Sequence, residues 1–248
     1  MRRLFGTATV AAGRPFVIVF PGRTGSSWLV SALDEHPEID AAGELLVRRD
    51  AAEQVGLIRD ALAPRRGRAA RGFKTKMKDV ADPDALRNAI ADAGALVIHM
   101  RRDDRLRLAI SRINARRLHA ATGRWNRQLD RERGRETDAA PVDPIGFDEL
   151  HEALVASAAE VDRVATFVGS LAGDVVEVRY ADILRSPEVV LESVQAAIGV
   201  PPRPLRSRVV KNSDEDLRAS IPDFDDLRAR FAATPFAVAF DVDPRRES

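Results

Sequence analysis

The six residues Gly22-Arg23-Thr24-Gly25-Ser26-Ser27 carry one cation, three hydroxyls and two glycines. Guanidinium, hydroxyl and backbone N–H groups on so flexible a stretch converge on a tetrahedral oxyanion, a phosphate or a sulfate, through charge-assisted hydrogen bonds. A second basic pair, Arg101-Arg102, closes another apolar run. Between the two lie an acid beside a glycine, Gly43-Glu44, and a segment with three lysines, Lys74, Lys76 and Lys78. Two basic stations predict a ligand with two separated anionic groups.

The elements that must position these residues follow from apolar spacing. Phe16 to Phe20 is an unbroken apolar run rich in β-formers, which predicts a buried strand. Pro21 and Gly22 break it. From Ser26 onward, Trp28, Leu29, Ala32 and Leu33 fall on one helical face. A strand, a small-residue turn and a helix start together present free N–H groups, and the helix dipole favours negative charge there. Pro37 closes this helix, because the residue before a proline resists the α region. Further helices are expected over 50–62 and from Asp82-Pro83, an N-cap with proline at the first helical position, to about Ala93. Others are expected after Asp104, with the stripe Leu106, Ala109, Ile110 and Ile113, from Phe147 to Gly169, from Ser186-Pro187 to Ile198, and near Phe224 to Ala233. Ala95 to Met100 and Asp174 to Tyr180 read as strands, and 72–78 as a short strand or turn. Strands alternating with helices predict one α/β domain over 1–248, with a mostly parallel central sheet and helices on both faces. Ligands of such sheets sit beyond the carboxyl ends of the strands. Residues 127–146 are charged, hold two prolines and lack apolar periodicity, so they read as a mobile insertion.

Bulk composition narrows the chemistry. A chain of 248 residues is long enough to bury a sizeable core. A net charge of +1 gives no global argument for nucleic acid or membrane as partner. The absence of cysteine excludes disulfides, thiolate catalysis and cysteine-bound metal, and fits a reducing cytoplasm. No two of the four histidines have a helical metal-binding spacing, so a zinc site is not expected. No apolar run reaches the roughly 20 residues that span a bilayer. The first residues pair Arg2-Arg3 with small apolar residues, but Thr and Gly dilute the run, and a flexible leader over 1–14 is expected.

The loop is not a Walker A motif, because residues 22–27 lack the lysine that must precede the hydroxyl. Pro21 to Trp28 resembles instead the 5′-phosphosulfate loop of sulfotransferases, which use 3′-phosphoadenosine 5′-phosphosulfate (PAPS) and release 3′-phosphoadenosine 5′-phosphate (PAP). Gly22 is one residue extra between the proline and the basic position. The resemblance implies a P-loop-like phosphosulfate-binding strand–loop–helix. Arg23 would hold the 5′-phosphate and the transferring sulfuryl group, with Thr24, Gly25, Ser26, Ser27 and Trp28 completing the cradle. It also implies a 3′-phosphate site at Arg102 and Ser111, nine residues apart, with Arg101 competing for the role. Scattered patches resemble the bacterial branch that includes trehalose and Nod-factor sulfotransferases: Gly43-Glu44-Leu45, Gly72-Phe73-Lys74, Ala109-Ile110-Ser111, Thr122-Gly123-Arg124-Trp125, and Tyr180 to Leu184 with Pro187.

Sulfuryl transfer to a hydroxyl is an in-line displacement, governed by positioning and charge stabilisation. A base must take the acceptor's proton. Animal cytosolic relatives have a histidine after a Lys-Thr pair, whereas Lys74-Thr75 is followed here by Lys76. In the trehalose branch a glutamate after the first helix serves, and Glu44 stands at that place. His36 is the second candidate. Lys74, Lys76 and the tail cations Arg206, Arg208 and Lys211 are candidates for contact with the donor, and Trp125 for the acceptor pocket. The resemblance thus implies transfer from PAPS, without a metal, to a hydroxyl of a carbohydrate or glycolipid-like acceptor; some relatives of that branch are homodimers. Two other readings stay open: a nucleotide-dependent kinase with a divergent loop, and a non-catalytic nucleotide-binding protein on the same fold.

Overall fold

The computed structural model describes residues 13–125, 144–209, 217 and 221–241, and the backbone alone of 128–130 and 135–137. Five strands form one sheet: β1 (Phe16–Val19), β2 (Ile39–Glu44), β3 (Ala70–Thr75), β4 (Leu96–Arg101) and β7 (Val175–Arg179). Their order is β2-β3-β1-β4-β7 and every neighbouring pair is parallel. The expectation of a mostly parallel sheet in one α/β domain therefore holds. Two short strands, β5 (Gln128–Asp130) and β6 (Arg135–Thr137), pair antiparallel apart from it.

Alternate residues of β1 feed two cores, as the period of two in a strand requires. Phe16, Ile18 and Phe20 pack with α1 (Ser26–Leu33) and α7 (Pro187–Ile198) on one face. Val17 and Val19 pack on the other with α2 (Ala51–Leu62), α3 (Pro83–Asp92) and the end of α5 (Phe147–Gly169). A third cluster joins α4 (Arg105–Thr122), the first half of α5 and α8 (Phe224–Phe231) through Ile110, Ile113, Leu150, Phe224 and Phe231. A short helix, α6 (Tyr180–Arg185), follows β7 directly. Among the described residues no helix is long and apolar enough to cross a membrane.

Ile39 to Glu44, for which no element was expected, is strand β2, and Tyr180, expected as the last residue of a strand, opens helix α6. The expected leader stops short of residue 14. The Arg14 backbone N–H donates to the Ile198 carbonyl at 2.8 Å and its guanidinium pairs with Asp174 at 2.6 Å, fixing the entry to β1. Residues 1–12 of the expected leader, and most of the expected insertion over 127–146, lie outside the described residues.

Close packing at β1 depends on one glycine. A Cβ on Gly72 would stand 2.2 Å from the Phe16 carbonyl oxygen, a contact no rotamer relieves. Gly72→Ala is expected to destabilise the fold by about 3 kcal/mol, the upper range of overpacking costs. Chemical denaturation checks this, and an unchanged midpoint contradicts the pairing of β1 with β3.

Candidate active site

All five strands of the sheet point their carboxyl ends to one edge, and the chemistry predicted from sequence gathers there. The chain leaves β1 toward β2 on one side and leaves β4 toward β7 on the other. Such a reversal opens a crevice between the two strands at their carboxyl ends. Arg23 follows β1 and Arg102 follows β4, so the two basic stations flank this crevice.

The loop Pro21–Gly25 is wound tightly. Gly22 (φ 80°), Arg23 (φ 58°) and Gly25 (φ 83°) all lie in the left-handed region, where a non-glycine residue such as Arg23 is strained. Gly25 is the N-cap of α1 and makes no side-chain cap hydrogen bond. The first N–H groups of a helix have no intrahelical partner, which suits such a start to an anion. Thr24 is fully buried, and its Oγ1 has no hydrogen-bond partner among the described residues. A buried hydroxyl without a partner costs free energy unless a ligand supplies one. Ser26 is buried beside it, and Trp28 packs its indole against the core under α1.

Arg23 is braced from α4. Its Nε donates to Ser111 Oγ at 3.2 Å and its Nη1 to the Trp125 carbonyl at 3.1 Å. Arg102 is buried, its guanidinium 4.3 Å from the Tyr180 ring centroid, with Nη1 donating to the Arg23 carbonyl at 3.5 Å. Burial lowers Arg23 to about 10, helped by the charges of Arg102 and Arg112 and opposed by Tyr180. Burial likewise lowers Arg102 to about 10. Both remain cationic at neutral pH, gathered where a polyanion relieves their repulsion. Arg101, the competing arginine, turns to the surface, where Asp103 (2.6 Å) and Glu177 (3.1 Å) hold it.

On the other side of the loop the β2–β3 pairing supplies a carboxylate and two ammonium groups. A register shift between Ala42 and Glu44 makes Gly43 the extra residue and sets Glu44 opposite Lys74. Bulges commonly re-aim a side chain in this way. Lys74 Nζ lies 3.4 Å from Glu44 Oε1 and donates to Ser27 Oγ at 2.7 Å, while Lys76 pairs with Glu44 Oε2. Both lysines also lie over the Phe20 ring. Burial pushes the Glu44 carboxyl up, but the hydrogen bond and charge of Lys76, with those of Lys74, outweigh it and hold the group below its ordinary value. Burial lowers Lys74, only partly offset by Glu44.

His36 stands apart from this arrangement. It is fully buried, with Nε2 3.1 Å from the Pro201 carbonyl and Nδ1 accepting from the Glu38 N–H at 3.1 Å. Both ring nitrogens serve the turn after α1, so the second candidate base is a structural residue. Arg208 lies by α1, donating from its backbone to Ser31 Oγ, and Lys211 is outside the described residues.

Three residues of the site were not among the expected ones. Tyr180 covers Arg102. Arg112 pairs with Glu160 and donates to the Pro21 carbonyl at 3.4 Å. Glu160 is 6 % exposed on the apolar stripe of α5, among Ser157, Val164 and Phe167. A carboxylate on a core stripe is the one sequence signal that pointed to it, since charges are rarely buried unpaired.

A cleft of about 800 Å³ opens elsewhere, at the amino ends of the strands, lined by Pro15, Ile58, Leu62, Ala70 and Ala89 and rimmed by Arg59, Arg65, Arg68 and Arg71. Asp40 already pairs with Arg65 and Arg71. The cleft contains none of the loop, lysine or glutamate groups described above.

A solved sulfotransferase from Alicyclobacillus acidocaldarius is 18% identical, with 95% of this chain and 97% of that one covered and a TM-score of 0.46. The sulfotransferase domain from the curacin biosynthetic pathway is 14% identical, with 77% and 76% covered and a TM-score of 0.44. No family model matches the chain, and no curated protein does.

Proposed function

We propose that this chain is a sulfotransferase that moves the sulfuryl group of PAPS to a hydroxyl of a small carbohydrate or glycolipid-like acceptor. The observation that carries the reading is half-buried Arg23 next to buried Arg102 at a helix start whose N-cap makes no side-chain hydrogen bond, with the Thr24 hydroxyl unpartnered among the described residues. These groups fit a donor with two anionic ends. The α1 N–H groups, Thr24, Ser26 and Ser27 would hold the 5′-phosphosulfate, with Arg23 above it. Arg102 and Ser111 would hold the 3′-phosphate.

The donor, when bound, supplies the sulfuryl group and a phosphate leaving group. This chain's residues do the rest. Arg23 and Lys74 offset negative charge that builds on the leaving side, in a buried setting where such interactions are strong. Glu44, ionised at neutral pH, accepts the acceptor's hydroxyl proton as that oxygen bonds to sulfur. Its ion pairs with Lys74 and Lys76 hold it ionised and fixed beside the loop. Trp125 offers an acceptor platform beside Arg23: the residue is 53% exposed and its indole stacks on His119 at 4.1 Å between ring centroids. An exposed ring with a braced backbone suits the apolar face of a sugar.

The test is incubation with PAPS labelled in the sulfuryl group and a panel of mono- and disaccharides and glycolipids. Label in a saccharide product, with stoichiometric PAP, is expected; hydrolysis alone across the panel contradicts the carbohydrate assignment. The nucleotide station has its own readout. Arg102→Ala is expected to weaken PAP binding by about a hundredfold, the range of one buried charge-assisted contact. Calorimetry reads it, and Arg101→Ala, at the surface, serves as the control with wild-type affinity.

A further inference from the structure

Glu160 sits behind the loop rather than in the crevice, yet four features tie it to the loop's shape. Its carboxylate pairs through two oxygens with Arg112, Oε1 at 3.3 Å from Nη1 and Oε2 against Nη2. Lys78 adds a third contact at 3.4 Å. Arg112 Nη2 also donates to the Pro21 carbonyl, the last acceptor before the left-handed turn. A Cβ on Gly22 would stand 3.4 Å from Glu160 Oε2 and 3.6 Å from Lys76 Cε, so the Glu160–Arg112 pair and Lys76 form the wall against which Gly22 folds.

We infer that Glu160 is a positioning residue for the anion loop: it fixes Arg112 against the Pro21 carbonyl, and Arg112 thereby holds the left-handed Gly22-Arg23 step that aims Arg23 into the crevice. The inference rests on the sulfotransferase reading of that crevice. Its physical basis is direct. The left-handed Arg23 persists only if surrounding contacts over-determine it. Arg112 supplies such a contact from α4, and a bidentate carboxylate from α5 fixes the orientation of a planar guanidinium. Glu160 also supplies a buried counter-charge to Arg112, whose own charge acts on Arg23. The extra residue Gly22, which sets this loop apart from the motif it resembles, is what brings the loop against Glu160.

The experiment compares wild type, Glu160→Gln and Arg112→Lys. Each is measured by calorimetry with PAP, by steady-state kinetics with PAPS and the acceptor, and by thermal melting. Glu160→Gln keeps the shape and removes the charge. It is expected to weaken PAP binding and raise the KM for PAPS by about tenfold, the loss of one oriented contact, while the KM for the acceptor stays within twofold. A purely structural role for Glu160 lowers the folded fraction and kcat and leaves the donor KM unmoved; that result overturns the inference. Arg112→Lys retains the ion pair but not the second nitrogen that reaches Pro21, and the same selective loss is expected. It gives the reading if Glu160→Gln does not fold, and wild-type PAP affinity in a folded Arg112→Lys also overturns the inference. Wild-type protein that binds no PAP overturns the sulfotransferase reading and this inference with it. PAP binding in wild type that is unchanged in both variants removes only the role of Glu160.

Discussion

Arg23→Ala is expected to lower turnover by about 10²–10³-fold, the cost of removing one preorganised charge-stabilising donor. The same substitution is expected to weaken PAP binding, because Arg23 faces both the resting donor and the charge that develops during transfer. Its environment sets the magnitude. The guanidinium is held at 3.2 Å by Ser111 Oγ and at 3.1 Å by the Trp125 carbonyl, so its position is fixed before any ligand arrives. It is desolvated strongly enough to fall to about 10, which removes the screening that weakens an exposed charge. Removal leaves the left-handed backbone as strained as before but takes a desolvated charge away from Arg102 and Arg112, so the variant is expected to fold. Steady-state kinetics beside a melting curve separates the two effects. A folded Arg23→Ala protein with wild-type turnover contradicts the placement of the transferring group.

Glu44→Gln is expected to cost about 10²–10⁴-fold in kcat, the usual contribution of a positioned proton acceptor. PAP affinity should change little, since the carboxylate faces lysines rather than the two arginine stations. The pH dependence follows from the direction of its shift. Burial raises Glu44, but Lys76 and Lys74 pull it further down, so the folded protein holds it ionised to lower pH than a free side chain. Activity limited by this group should therefore persist through the ordinary carboxylate range and fall only below it. The stability linkage has the same sign: a lowered folded pKa contributes stability that is present above the unfolded value and is lost as pH falls through the folded one. Glu44→Gln removes both effects. The measurement is a kcat–pH profile of wild type and variant, and an acid limb that survives in Glu44→Gln contradicts the assignment of the base.

The parts legible from sequence were those whose chemistry is contiguous. The apolar run before Pro21, the small residues after it and the stripe from Trp28 to Leu33 specify a strand, a turn and a helix without help from the rest of the chain. The same holds for α3, where cap, proline and periodicity agree, for α7, which opens on a proline, and for α5, where periodicity suffices. Strand β2 was not legible, because Ala41-Ala42-Gly43 has little strand preference of its own. Its pairing with β3 imposes the conformation, and the shift at Gly43 that turns Glu44 inward exists only in that pairing. The choice between Arg101 and Arg102 was equally closed to spacing, since neighbouring residues at a strand end face opposite ways and only the partners decide. Asp103 and Glu177 draw one outward, while Tyr180 covers the other. Glu160 and Arg112 meet across α4 and α5, separated by 48 residues, and no local pattern joins them. His36 shows the opposite error: a histidine after a helix in a polar stretch looks available, yet the fold buries it and uses both nitrogens.

The central claim is that the crevice between β1 and β4 holds a nucleotide with separate 3′ and 5′ anions and needs no divalent metal to do so. Calorimetry with PAP, ATP and NADPH, each with and without magnesium, tests it most directly. The account predicts a micromolar dissociation constant for PAP, about −8 kcal/mol, unchanged by magnesium and weakened about a hundredfold in Arg102→Ala. Tight, magnesium-dependent binding of ATP with no binding of PAP would contradict it and return the chain to the phosphotransferases.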